Sequence, residues 1–255
     1  MKKTLLKLVF VIIFLVLWQI IESWINLGRI GRGETTLELF LPTPQKIIIS
    51  FIQNIELILN EMSYTLSRAL LGLFIGTFTA VLMVIIFLII PVLRELIMPL
   101  SLAVNSFPIV GFAPLVILAF GQGSWIGIVF ISALISYFPT LITLDHSVRC
   151  VDKELIELMQ LWGANRWQIF SKVQLPSSLP SLFAAARLSI PASIIGATLG
   201  EWLGTKHGIG HLITLSFYQL RPGLMYASLI SLTVLSLILV FIISFLEKKL
   251  FTWKN

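Results

Sequence analysis

Among its 255 residues this chain has one cysteine, three histidines and only 12% charged side chains. Each scarcity excludes something. A lone Cys150 closes no intramolecular disulfide and seeds no cysteine-based metal cluster, and it reads as a structural residue near a membrane boundary. His207 and His211 are four apart, as two ligands on one helix face would be. Gly208 and Gly210 interrupt that helix and no Glu-x-x pattern lies between the two histidines, so no metal site is expected. A P-loop needs G-x-x-x-x-G-K-[ST] to cradle phosphate with backbone N–H groups. The nearest approach, GEWLGTK at Gly200–Lys206, fails that pattern, so the chain should neither bind nor hydrolyse ATP. No basic stripe with interleaved aromatics lies outside the loops, which argues against nucleic acid despite a net charge of +6. No second carboxylate or histidine is placed beside Glu201, so an intramembrane hydrolase is not expected either.

What the chain has is hydrocarbon. Its residues are 57% hydrophobic, its mean hydropathy is +0.98, and its charges fall in short stretches between apolar runs. A soluble domain is about 25% charged. A helix crosses a bilayer with about 20 apolar residues. Leu5–Ile25 is the first candidate, behind Lys2, Lys3 and Lys7. It is too long for a signal peptide and no small-residue cleavage site follows promptly, so it reads as a retained span. Gly28–Lys46 is a polar loop, and Ile47–Asn60 is expected as a short interfacial helix. Further spans are expected at Leu66–Ile90, Leu96–Phe120, Trp125–Leu144, Ser181–Leu203 and Gly223–Leu246, with a short helix around Leu212–Tyr218. Asn105, Pro108, Gly111 and Pro114 predict a break inside the third span, tolerated where protein or a water-lined cavity satisfies the freed backbone.

The fold class is therefore an all-α polytopic membrane protein with about six transmembrane helices. It is one domain over residues 1–255: an extra N-terminal span at 5–25, a core at about 60–250 and a polar loop at 145–180. With both termini inside, the cytoplasm holds eleven lysines and arginines (Lys2, Lys3, Lys7, Arg94, Arg149, Lys153, Arg166, Lys172, Lys248, Lys249 and Lys254). The outside holds five (Arg29, Arg32, Lys46, Lys206 and Arg221). The positive-inside rule thus places the termini and the long loop in the cytoplasm. No internal repeat stands out, which argues against a self-contained secondary transporter, although two copies of a half-sized chain could form a whole one.

That loop carries helix signals. Asp152 can cap, and Leu155, Leu158, Met159 and Trp162 then fall on one face. Gly163 follows where a helix commonly ends in a left-handed residue. Asn165–Lys172 can form a second short helix, which Pro176 and Pro180 are expected to stop. Two readings stand open on these residues. The pair could pack on its own spans, with Trp162 and Trp167 as interfacial anchors, or it could be a knob that docks into a groove of a cytoplasmic partner.

The spacing Glu157-Leu158-Met159, three residues, Gly163, nine residues, Val173-Gln174-Leu175-Pro176 resembles the cytoplasmic signature of bacterial ABC-importer permeases, E-A-A, three residues, G, nine residues, I-x-L-P. Val replaces Ile, and Leu158 and Met159 replace the two alanines, which alters the contact surface but keeps it apolar. "LPTPQKI", "NSFPIVGFAPLVILAFGQG" and "GATLGEWLGTKHGIGHLI" resemble stretches of the nitrate/sulfonate/taurine branch, so the likeness runs from about Leu41 to the C-terminus.

The resemblance implies a multi-pass permease of the bacterial inner membrane that is not itself an enzyme. Its loop would be a coupling-helix pair seated in a cytoplasmic ATPase, with Glu157, Leu158, Met159, Gly163, Val173, Leu175 and Pro176 in the contact. It implies as partners two ATPase copies, a second permease copy and an extracytoplasmic solute-binding protein. No cofactor is implied in this chain, since ATP and Mg would sit in the ATPase. The substrate would be a small anion of the nitrate, sulfonate or taurine kind, or a vitamin-precursor-like organic compound. Alternatives are a coupling subunit of another ATPase-driven importer class, a dimeric secondary carrier or a standalone membrane enzyme. Asn105, Ser106 and Glu201 are the candidate pathway residues, since polar groups inside spans face a protein interior or a water cavity; helix-to-helix hydrogen bonding is the competing role. Glu201 could equally be solvated or paired with Lys206.

Overall fold

The computed structural model describes residues 13, 16–25 and 41–250. Among them there is no strand. Residues 16–25 are helical; the rest of the expected first span, most of the polar loop after it and the C-terminal Lys254 lie outside the described residues. Helix α1 (Pro44–Gln53) starts where Thr43 caps it, its side chain accepting from the Lys46 amide at 3.3 Å, with Pro44 at the first turn. Asn54 separates α1 from α2 (Ile55–Ile89), a single helix of 35 residues. The expected interfacial helix at Ile47–Asn60 is thus divided between two elements. The polar residues Glu61 and Thr65, which read as a gap between helices, are buried and bonded instead, so nothing ends α2 there.

After Pro91 come α3 (Pro91–Ser106) and α4 (Ile109–Phe120), apolar enough together for one span but bent by 99° at Phe107-Pro108. The expected break is there. Helix α5 (Trp125–Arg149) follows, then α6 (Lys153–Leu161) and α7 (Arg166–Ile169). A π-turn at Phe170–Gln174 leads without interruption into α8 (Leu175–Gly204). Pro176 and Pro180 therefore do not stop the helix, and Arg166–Gly204 is continuous over 39 residues. Pro176 sits in the first turn after the π-turn, where the wider i→i+5 register loosens the backbone that a proline ring would otherwise strike. Helices α9 (Ile209–Tyr218) and α10 (Pro222–Leu250) complete the described chain.

Among the described residues four helices (α2, α5, α7–α8 and α10) are long and apolar enough to cross a membrane, and the bent pair α3–α4 makes up to five. The sixth expected span, at the N-terminus, falls only partly within the described residues.

The centre is the α2–α5–α8 trio, packed through small residues. A Cβ on Gly72 would lie 2.2 Å from Ser132 Oγ, and one on Gly196 2.7 Å from Ser132 Cα. Ser132 Oγ donates to the Ser193 carbonyl at 2.8 Å, and the Thr140 and Ser189 hydroxyls meet at 2.8 Å. Lipid tails are as apolar as leucine, so close backbone approach and interhelical hydrogen bonds hold such helices together. The buried core has two parts, one around Ile128, Ile131, Ile190 and Ile194 and one around Val84, Phe87, Leu141 and Leu144.

Candidate functional site

The loop between α5 and α8 folds into a rigid hairpin. Asp152 Oδ1 accepts from the Glu154 amide at 3.1 Å and starts α6. At the other end Gly163 adopts φ +75°, its amide donates to the Gln160 carbonyl at 2.9 Å, and the Ala164 amide donates to the Met159 carbonyl at 3.0 Å. These two bonds close the helix in a Schellman arrangement. Two residues later α7 opens with a reciprocal capping box: Gln168 N to Asn165 Oδ1 at 2.9 Å, Asn165 N to Gln168 Oε1 at 2.8 Å. Every residue between the two helices is thus either fixed by a bond or is the left-handed glycine itself.

The hairpin is firm inside and bare outside. Ile169 and Phe170 are buried at its base, Phe170 beside Val84, Leu144 and Val148. No residue of α6 is buried. Leu155, Leu158 and Trp162 of the apolar face are exposed, Trp162 to 78%, with Leu161 exposed to 83% and Trp167 to 60%. Glu157 and Gly163 are exposed, Met159 and Val173 half-buried, and Leu175 and Pro176 exposed. The first helix of the pair therefore does not pack on the spans of its own chain. A run of large apolar side chains presented on a fixed scaffold marks an interaction surface.

At the root of the hairpin, Asp145 is buried and grips two arginines. Arg94 of α3 reaches it through Nε at 3.0 Å and Nη2 at 2.8 Å, and Arg149 through Nε at 3.0 Å. This ties the broken helix to the end of α5, four residues before α6 begins.

The three candidate pathway residues separate. Asn105 and Ser106 are exposed at the end of α3, with Ser106 Oγ donating to the Leu102 carbonyl at 2.9 Å. Glu201 is fully buried elsewhere, in a knot of α2, α8 and the turn before α9. Its Oε1 accepts from Arg68 Nη1 at 2.7 Å; its Oε2 accepts from Thr65 Oγ1 at 2.8 Å and from the Gly210 amide at 3.0 Å. Its partner is Arg68, not Lys206, which is exposed. Arg68 Nη1 also donates to the His207 carbonyl at 2.8 Å, Thr65 Oγ1 accepts from the Ile209 amide at 2.8 Å, and Glu61 accepts from the Gly208 amide.

Gly208 has φ +111°, and a Cβ there would collide with the Glu201 carboxylate, so only glycine fits. The sequence reading missed Glu61, Thr65 and Arg68. They recur at i, i+4 and i+7 on one face of an apolar helix, a signal that an inward polar stripe awaits a partner. Among the described residues no group of three His, Cys, Asp or Glu side chains could hold a metal ion.

Comparisons with known proteins agree on one family. Residues 72–252 match the model of the binding-protein-dependent transport system inner membrane component. The riboflavin transport system permease protein RibX of Chloroflexus aurantiacus is 34% identical over 64% of this chain and 60% of its own length. The formylaminopyrimidine transport permease protein ThiX of Halalkalibacterium halodurans is 26% identical over 96% of this chain and 94% of its own. The putative aliphatic sulfonates transport permease protein SsuC of Bacillus subtilis is 29% identical over 92% and 85%. In fold the chain is similar to one from an inward-facing crystal form of the MetNI methionine ABC transporter, with a TM-score of 0.64 at 21% identity over 73% of this chain and 92% of that one. The family match spans well over half of the chain, and with the apolar helices that carry it the protein belongs to the binding-protein-dependent transport system inner membrane components, as a multi-pass transport permease.

Proposed function

We propose that this permease works as one of two identical transmembrane subunits of an ATP-driven importer, moved by a cytoplasmic ATPase that seats the α6–α7 hairpin. The observation that carries the reading is the hairpin itself: capped at both ends of α6 and at the start of α7, unburied along α6, and continuous with a spanning helix. Leu158 and Met159 supply apolar contact, and Glu157 a charge for a basic group on the ATPase. Gly163 sets the angle between the helices. Val173, Leu175 and Pro176 lie where the hairpin passes through the π-turn into α8. A push on α7 would thus travel along one 39-residue helix, about 58 Å at 1.5 Å per residue, instead of being absorbed in a slack linker.

ATP and Mg would be held by the ATPase alone, and an extracytoplasmic binding protein would deliver the solute. Both termini and the hairpin would be cytoplasmic, as the eleven-to-five distribution of basic residues supports. Asn105 and Ser106 would face the translocation path. Glu201 we assign to the clamp that fixes the turn before α9. The solute would be a small organic compound of the kinds named for the relatives, a sulfonate or taurine on one side and formylaminopyrimidine or riboflavin on the other.

The test is reconstitution of the complex isolated from native membranes. Uptake that needs ATP on the hairpin side and the binding protein on the other supports the reading. Solute movement by the chain alone, without ATP, contradicts it.

A further inference from the structure

We infer that Glu201, Arg68 and Thr65 are positioning residues of the transport cycle: they fasten α9 to the end of α8 remote from the hairpin, so that α9 travels with α8 when the ATPase acts. This rests on the importer reading above. From Leu175 to Glu201 the helix α8 runs about 39 Å at 1.5 Å per residue, more than the roughly 30 Å of a bilayer's hydrocarbon core. The hairpin and Glu201 therefore stand at opposite ends of one span.

The start of α9 is held from outside itself. A helix leaves its first four amides without partners in its own backbone. In α9 these belong to Gly208, Ile209, Gly210 and His211, since the Leu212 amide is the one that returns to the Gly208 carbonyl. Gly208, at the N-cap, has no side chain with which to cap them. Three of the four are taken by side chains of two spanning helices. Glu61 of α2 accepts from Gly208, Thr65 Oγ1 of α2 accepts from Ile209, and Glu201 Oε2 of α8 accepts from Gly210. Arg68 Nη1 holds the His207 carbonyl and Glu201 together. A Cβ on Gly210 would strike the Thr198 carbonyl, so the backbone of α9 lies directly on α8.

A cap supplied by the turn itself would let α9 tilt independently of its neighbours. A cap supplied by buried side chains of α2 and α8 does not. Parting α9 from them would strip a bond from each of Glu61, Thr65, Arg68 and Glu201 and leave four backbone groups of the turn unpaired, and buried polar groups without partners are costly. The joint therefore stays closed when α8 moves. A displacement begun at the hairpin is delivered to α9 and to the exposed residues Phe217 to Arg221 behind it.

The experiment uses the complex isolated from native membranes and placed in nanodiscs, with Cys150→Ser and Tyr218→Cys in the permease. Tyr218 is 77% exposed at the end of α9 and outside the joint. A polar maleimide modifies the introduced cysteine, without nucleotide and after trapping with ATP and vanadate, and rates are compared per trapped complex. The expected rate changes at least threefold on trapping in the parent. Thr65→Ser, which keeps the hydroxyl, retains the response. Thr65→Val, which lacks it, and the double variant Arg68→Met/Glu201→Gln fall below 1.5-fold. A parent rate indifferent to trapping overturns the inference and leaves the importer reading intact. So does a parent-like response in both Thr65→Val and the double variant, or a loss in Thr65→Ser equal to that in Thr65→Val. A double variant that does not fold leaves the two Thr65 variants to decide. Absence of trapped ADP from the parent contradicts the importer reading and the inference with it.

Discussion

Arg68 on α2 and Glu201 on α8, 133 positions apart, meet at 2.7 Å in a site where the glutamate side chain is fully buried and the arginine side chain only 11% exposed. Around this pair the turn before α9 is assembled, since the same two side chains also bind the His207 carbonyl and the Gly210 amide. The clamp is a packing device with a charge at its centre.

Glu201→Gln keeps the shape of that clamp and removes the charge. Arg68 is left buried without a counter-ion, which typically costs about 3–5 kcal/mol. The midpoint of thermal aggregation in detergent should fall clearly. The double variant Arg68→Met/Glu201→Gln should recover part of the loss. Equal damage in the single and double variants would show that the ion pair is not what holds the turn.

Gly163 faces open space, with nothing within 4 Å of a Cβ built on it, so a substitution there is resisted by backbone conformation alone. Moving a non-glycine residue into the left-handed region costs about 1–2 kcal/mol. Asn tolerates that region better than Ala or Asp. Limited proteolysis of the hairpin should therefore rank Gly163→Asn closest to the parent, with Gly163→Ala and Gly163→Asp cleaved faster, and global stability unchanged throughout.

At Gly196 the obstacle is steric. A Cβ there would lie 2.7 Å from Ser132 Cα, a backbone atom that cannot move aside. Gly196→Val should force α5 and α8 apart and abolish recovery of folded protein. Gly111, with nothing near its Cβ position, is the control. Gly111→Ala should be neutral or stabilising by up to about 1 kcal/mol, because alanine favours helix over glycine.

At the root of the hairpin the three charges are unequal. The Asp145 side chain is 5% exposed and serves both Arg94 and Arg149, whereas the Arg149 side chain is 41% exposed. Asp145→Ala should lower the unfolding temperature in detergent several times more than Arg149→Ala, whose loss is that of a surface pair, about 0–1 kcal/mol. Similar shifts from both would remove the cluster as an anchor for α6.

The hairpin could be read from the sequence because all its signals are local. Asp152, Gly163, Asn165 and Gln168 act within four residues of what they bond. The apolar runs gave the spans for the same reason. Helix ends were harder. Pro176 and Pro180 read as stops, and nothing in the local chemistry announces that a π-turn at Phe170–Gln174 carries the helix through. Residues 61–65 fall between the expected helix ending at Asn60 and the expected span starting at Leu66, because the partners of Glu61 and Thr65 lie 147 and 136 positions away. Glu201 reads from the sequence as an acid at the end of a span that could line the path, be solvated or pair with Lys206; its burial and its pairing with Arg68 depend on how α2 and α8 pack, and one sequence does not contain that.

The most direct test of the account is the recovery of a P-loop ATPase with the tagged chain from native membranes in mild detergent, for the parent, Glu157→Lys and Gly163→Asp. About one ATPase per permease chain is expected with the parent, less with Glu157→Lys and none with Gly163→Asp, all three chains being inserted to the same level. Equal recovery with Gly163→Asp, or a stable parent dimer that transports with no ATPase bound, would contradict it and return the hairpin to a structural role.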